Sequence, residues 1–240
     1  VLAITATSRS RSNDAKELDI MREASRLNDI ACSRMVELVK EDLDEAQMGK
    51  KLGEIWEELG AEGHSFEPII AYGANGADPH HTTVKGARKK PGDTVVIDIG
   101  CIYKSYCSDM TRTVFYQSVP AEGKKVYEIT RDANLKAIEK VKPGVTFAAL
   151  DAAARDYITE HGYGKYFTHR LGHSIGLEDH EAGDVSAINH DVVVPGRVFS
   201  IEPGIYLPGN LGVRVEDLVI ATEDGCEVLN RYTKDLLVVG

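Results

Sequence analysis

The sequence predicts an α+β domain built from two related halves. Two amphipathic helical stretches precede a set of strand-like runs, and then the same order recurs. The decapeptide PGDTVVIDIG at 91–100 aligns without a gap to PGRVFSIEPG at 195–204, so Asp98 falls on Glu202. Neither half could bury its sheet face alone, so the two are expected to close one domain about a pseudo-twofold axis.

The first helix is expected to open at Asp14, which has capping-box spacing with Glu17. Leu18, Met21, Ala24, Ala31, Met35 and Leu38 give it one apolar face, up to about residue 40. The second opens at Asp44 with Gln47 as box partner, buries Leu52, Ile55, Trp56 and Leu59, and stops at Gly60. Strand-like runs follow at 68–73, 94–103 and 108–116. A third helix is expected over 121–141, with Val126, Ile129, Ala133, Ala137 and Val141 on one face, and Pro143-Gly144 breaks it. A fourth runs from Thr146 to His161 and ends at Gly162, before strands at 197–202, 212–221 and 225–229. The halves are therefore roughly 14–118 and 119–240. The Ser/Arg-rich stretch 1–13 reads as a linker from an upstream domain absent from the chain.

Of the 240 residues, 42% are hydrophobic and 28% charged, an ordinary composition for a soluble globular protein. The net charge of −10 argues against nucleic acid or an anionic membrane as a partner, since both reward clustered Lys and Arg. No apolar run is long enough to span a bilayer. Cys32, Cys101, Cys107 and Cys226 lack CxxC spacing and fit reduced thiols in the cytoplasm.

Asp98 interrupts a strand otherwise built of Val95, Val96, Ile97 and Ile99, where a carboxylate needs compensation. Each half offers a second acid on a following strand, Asp109 in SDMTRTVFY and Glu216 in GVRVEDLVI. Alternation places Asp109 with Cys107, Thr111 and Thr113, and Glu216 with Arg214 and Leu218. Four carboxylates at duplicated positions cannot share a site and stay ionised without cations, so divalent metal is expected. The segment THRLGHSIGLEDHE brings His169, His173 and His180. Its glycines argue against a zinc-chelating helix and for an extended segment that sends one imidazole to metal and others to substrate. A further pair, His80 and His81, follows Pro79 in a loop rich in turn residues.

The motifs VVIDIG, YCSDMTRT, HRLGHSIGLEDHE, SIEPGIYLPG and GVRVED together resemble the pita-bread metallopeptidases, most closely their proline-specific branch, the Xaa-Pro dipeptidases (prolidases) and aminopeptidase P. The resemblance implies a curved antiparallel sheet backed by helices with twofold pseudosymmetry. It implies two divalent ions per chain, Mn first among Mn, Co, Zn and Fe, held by Asp98, Asp109, His173, Glu202 and Glu216. Glu202 would also shuttle the proton of the attacking water. His180 and His80 would contact substrate and the tetrahedral intermediate, and His169 and Arg214 match further substrate-binding positions. Arg214 would orient Glu216 or lean toward substrate. By motif His80 is the loop histidine; counting back from Asp98 selects His81, because the loop is one residue longer than the family's. The expected substrate is a peptide with proline second, cleaved by a cytoplasmic enzyme that dimerises in its full-length form. Aminopeptidase P, then methionine aminopeptidase, are the alternative activities, and a metal-free binding module is the non-enzymatic one.

Overall fold

The computed structural model describes residues 12–240, so the expected linker at 1–13 lies, up to residue 11, outside the described residues. The elements of the first half are α1 (Ala15–Leu38), α2 (Glu45–Leu59), β1 (Gly63–His64), β2 (Ile69–Tyr72), β3 (Thr94–Ile99), β4 (Cys101–Tyr103), β5 (Tyr106–Cys107) and β6 (Met110–Tyr116). The second half holds α3 (Ala121–Glu139), α4 (Phe147–Glu160), β7 (Gly172–Ser174), β8 (Glu181–Val185), β9 (Val198–Ile201), β10 (Gly204–Leu207), β11 (Leu211–Arg214), β12 (Asp217–Ala221), β13 (Cys226–Val228) and β14 (Val238–Val239). This is the mixed α+β architecture expected. No helix among the described residues is long and apolar enough to cross a membrane.

Local chemistry sets the helix ends. Both expected capping boxes form, Asp14 with Glu17 and Asp44 with Gln47, so each satisfies two otherwise orphaned N–H groups. Thr146 caps α4 through its hydroxyl.

The strands form a four-stranded ladder, β14-β6-β3-β2, and a five-stranded one, β13-β12-β9-β7-β8. Two smaller ladders, β1-β4-β5 and β10-β11, complete the sheet structure. Pairing is antiparallel except that β14 runs parallel to β6. The duplicated decapeptides become β3 and β9 with their leading turns. Gly92 and Gly196, the glycines of the two PG pairs, both take left-handed conformations, at φ 91° and 79°. Buried Asn28 on α1 donates to the Ile99 carbonyl at 2.8 Å, and buried Asn134 on α3 donates to the Ile201 carbonyl at 2.9 Å. Each helix pair thus ties its strand down beside the acid that the strand carries.

Two main cores form, each drawn mostly from one half. Trp56, Leu52, Ile70 and Ile97 lie together in the first, and Phe147, Phe199, Leu150 and Val219 in the second. Between them β6 lies along residues 214–216: Thr113 Oγ1 donates to the Arg214 carbonyl at 2.9 Å, and the Glu216 N–H donates to the Thr111 carbonyl at 3.1 Å.

Three expected strands are broken. The run 94–103 stops at Gly100, and 108–116 begins its ladder only at Met110. The run 212–221 leaves the ladder at Val215-Glu216. Alternation therefore does not carry through these acids. Cys107 and Leu218, expected beside Asp109 and Glu216, sit instead in a small core with Met21 and Ile175.

Candidate active site

One cavity of about 540 Å³ opens where the two halves meet. Its wall includes Asp98, Asp109, His173, Glu202 and Glu216, together with His80, His169, His180 and Arg214.

Asp98 extends from β3, whose neighbours Val96, Ile97 and Ile99 are buried. Its Oδ2 accepts from Arg214 Nη2 at 2.5 Å, while its Oδ1 is buried with no hydrogen-bond partner among the described residues. Part of the compensation expected from metal thus comes from a guanidinium. Arg214 also donates to Thr111 Oγ1 at 3.0 Å, the Tyr206 hydroxyl at 2.9 Å and the Pro79 carbonyl at 3.3 Å. Among the described residues' hydrogen bonds and ion pairs it has none to Glu216 itself. Thr111 lies between them, donating its hydroxyl to Glu216 Oε2 at 2.6 Å. Burial opposes the charge on Arg214, but Tyr206 and Asp98 outweigh it and hold the guanidinium well above its ordinary range.

The remaining acids surround His173. Its Nε2 lies 3.4 Å from Asp109 Oδ2 and 3.5 Å from Glu202 Oε1. One ligand atom each from Asp109, His173 and Glu216 falls within 4.8 Å of the others. Ser200 braces this side: its hydroxyl accepts from the His173 N–H at 2.9 Å and donates to Glu202 Oε1 at 3.1 Å. The close approach of β7 to β9 needs Gly172, because a Cβ there would lie 2.0 Å from the Ser200 carbonyl oxygen.

The electrostatics are those of a site short of positive charge. Burial, then Glu216, raises the Asp109 carboxyl, and burial, then Glu202 and Asp98, raises Glu216. Burial pushes Glu202 up to about 7 against the opposing Arg214, and pushes His173 down to about 3. Asp109 Oδ1 and Glu216 Oε1, like Asp98 Oδ1, are buried without a partner. Buried carboxylate oxygens without donors are costly. Hard oxygen donors converging with a neutral imidazole nitrogen are what divalent cations bind, so these residues fit a metal centre.

The other histidines differ in availability. Both ring nitrogens of His169 are engaged, with the Tyr206 hydroxyl at 2.8 Å and the Arg170 carbonyl at 2.7 Å, and burial pushes it down to about 3. His180 is exposed on the cavity wall, its ring 4.0 Å from that of His173. Of the loop pair, His80 lines the cavity, whereas His81 turns to Glu45, with Nε2 2.7 Å from Oε2.

Several residues here were not assigned a site role from the sequence. Thr111 was expected on the face of Asp109 but acts on Glu216, 105 residues away, while Tyr206 acts on Arg214 and His169 and Ser200 on Glu202 and His173. Glu45, the first residue of α2, holds the loop that carries His80. Asp179 was hidden inside the histidine motif, although an acid between Glu178 and His180 could have been flagged. It lines the cavity, and burial, then Asp98, pushes it up to about 7.

Comparison with known proteins places this geometry. The chain matches metallopeptidase family M24 over residues 19–223. An uncharacterized peptidase of Staphylococcus aureus strain MRSA252 is 39% identical over 218 residues, covering 91% of this chain and 62% of that protein. Prolidase from Pyrococcus furiosus superposes with a TM-score of 0.90 at 39% identity, over 92% of this chain and 66% of its own. Xaa-Pro dipeptidase from Bacillus anthracis gives 0.93 at 37% identity, over 96% and 64%. X-Pro aminopeptidase from Thermotoga maritima gives 0.92 at 36%, over 96% and 65%. The fold is the pita-bread fold of those structures, and the chain spans about two thirds of their length.

Proposed function

The chain belongs to metallopeptidase family M24, and from that premise we propose that it carries the catalytic domain of a dinuclear-metal hydrolase that cleaves the Xaa-Pro bond of dipeptides. The observation that carries this reading is the set of three buried, partnerless oxygens, on Asp98, Asp109 and Glu216, that share one cavity with His173 and Glu202. Likeness to a prolidase and an Xaa-Pro dipeptidase supplies the substrate class.

In this reading Asp98, Asp109, His173, Glu202 and Glu216 hold two divalent ions, manganese by first choice. Bound there, the ions would lower the pKa of a water and polarise the scissile carbonyl. The chain's own residues do the rest. Glu202, on the cavity wall with its Oε1 3.1 Å from the Ser200 hydroxyl, would accept a proton from the attacking water and return it to the leaving proline nitrogen. His80 and His180 donate toward the oxyanion as it develops. Arg214 and Thr111 fix Asp98 and Glu216 in place. His169, closed by Tyr206 and Arg170, shapes the substrate wall rather than donating to it. The full-length protein would act as a homodimer on peptides with proline second, in the cytoplasm.

A second reading, Xaa-Pro aminopeptidase, draws on the comparable likeness to the Thermotoga maritima enzyme. A kinetic panel with Mn supplied separates them. Dipeptidase action predicts turnover of Xaa-Pro and little of Xaa-Pro-Yaa-Zaa. The reverse order supports the aminopeptidase, and cleavage of Met-Ala peptides alone removes both.

A further inference from the structure

We propose that Asp179 makes this cavity selective for a first substrate residue with a cationic side chain, arginine or lysine; the inference rests on the reading of the site as an Xaa-Pro hydrolase. Six carboxylates line the cavity. Four belong to the proposed ligand set, and Asp184 faces Arg170 Nε at 3.5 Å. Asp179 is the remaining one. Among the described residues its buried Oδ1 has no hydrogen-bond partner, and its Oδ2 has only the His180 imidazole, at 3.5 Å. The side chain is 21% exposed and lines the cavity, so a ligand there can reach the carboxylate.

The surroundings suit an alkyl stem that ends in a cation. Phe66 and Ile69 line the same cavity. Ile69 is the β2 partner of Asp98, and the Phe66 ring lies against Gly100, two residues beyond Asp98. Asp179 lines that same cavity together with Phe66, Ile69 and Asp98. Arginine and lysine bury their methylenes on apolar surface while their charged ends seek a carboxylate. A substrate α-amino group is common to all peptides and gives no such selectivity.

The rival role is metal ligation, since one atom each of Asp179, His173 and His180 falls within 4.8 Å of the others. The test uses the full-length, Mn-loaded protein and its Asp179→Asn variant with Arg-Pro, Lys-Pro, Leu-Pro and citrulline-Pro, citrulline being the neutral copy of arginine. The wild type is expected to favour Arg-Pro over citrulline-Pro in kcat/KM by about tenfold or more, and Asp179→Asn to bring that ratio close to one. A role confined to structure would lower both substrates alike and leave the ratio intact. A wild-type ratio near one, a ratio that survives in Asp179→Asn, or bound metal lost with the substitution each overturns the proposal. Calorimetric binding of argininamide and citrulline amide to the same proteins is independent of turnover. If no Xaa-Pro bond is cleaved yet argininamide binds about tenfold tighter through Asp179, the hydrolase reading falls and the selectivity stands. Equal binding of the two amides removes the selectivity.

Discussion

Glu45→Ala tests how the loop that carries His80 is held. Glu45 is fully buried at the start of α2. Its Oε1 accepts from the Tyr72 N–H and from Asn75 Nδ2, both at 2.8 Å. Its Oε2 accepts from the Val84 N–H at 2.9 Å and meets His81 Nε2 at 2.7 Å. One carboxylate therefore clamps both ends of the segment between β2 and residue 84. Only the Tyr72 N–H is fully buried, so alanine would orphan it at a cost of about 1–3 kcal/mol. The other three groups can recruit water, and losing their charged acceptor costs about 1 kcal/mol each or less. An acid at a helix N-terminus contributes roughly 0.5 kcal/mol more. The expected destabilisation is about 4 kcal/mol, read in urea as a lower midpoint with an unchanged slope. Glu45→Gln should lose about half as much: its amide oxygen still serves Tyr72 and Asn75, but its NH2 confronts the Val84 N–H. With His80 unmoored, kcat/KM on Xaa-Pro should fall about tenfold while bound metal is retained. A loss below about 1 kcal/mol with unchanged turnover would refute the clamp.

Gly212→Ala should disturb the opposite face of the same loop, because a Cβ there would sit 1.7 Å from the Gly76 carbonyl oxygen. Backbone must move, at about 1–3 kcal/mol, and Arg214 lies two residues on; unchanged thermal unfolding and turnover would contradict this. The single tryptophan, Trp56, donates its indole N–H to His64 Nδ1 at 3.0 Å, which requires a neutral imidazole. Burial holds His64 below its ordinary 6.5, against a smaller opposing effect of Glu67. A depressed pKa contributes stability above the unfolded value and loses it as pH falls through the folded one. Tryptophan fluorescence should therefore titrate with a midpoint below 6.5, and His64→Gln should abolish the transition; a midpoint at or above 6.5 would contradict the contact.

The sequence carried much of this because its strongest signals are local. Asp14 with Glu17 and Asp44 with Gln47 mark helix starts through bonds made within three residues, and both boxes form. The paired decapeptides announced β3 and β9, and with them the positions of Asp98 and Glu202. What was missed depends on contacts across the molecule. The strand that holds His173 is three residues long and contains Gly172, which looks like a loop residue until β9 is seen against it. Val215 and Glu216 read as the middle of a strand, but the Val215 N–H donates to the Pro203 carbonyl and the Glu216 N–H to the Thr111 carbonyl of β6. Arg214 shows the same limit. Its place near Glu216 in the chain suggested that it orients that acid or leans toward substrate; the fold delivers it to the cavity wall and to Asp98, 116 residues away. The resemblance in the motifs made the proposed ligand set readable, but what the hydroxyls of Thr111, Ser200 and Tyr206 bond was visible only in three dimensions.

Metal content measured alongside Xaa-Pro turnover, for wild type and Asp98→Asn purified without chelator, tests the central claim most directly. About two ions per chain are predicted for the wild type, with hydrolysis abolished by chelation and restored by Mn, and with metal and activity lost together in Asp98→Asn. Turnover of Xaa-Pro by a chain holding fewer than one ion, or by metal-free Asp98→Asn, would contradict it.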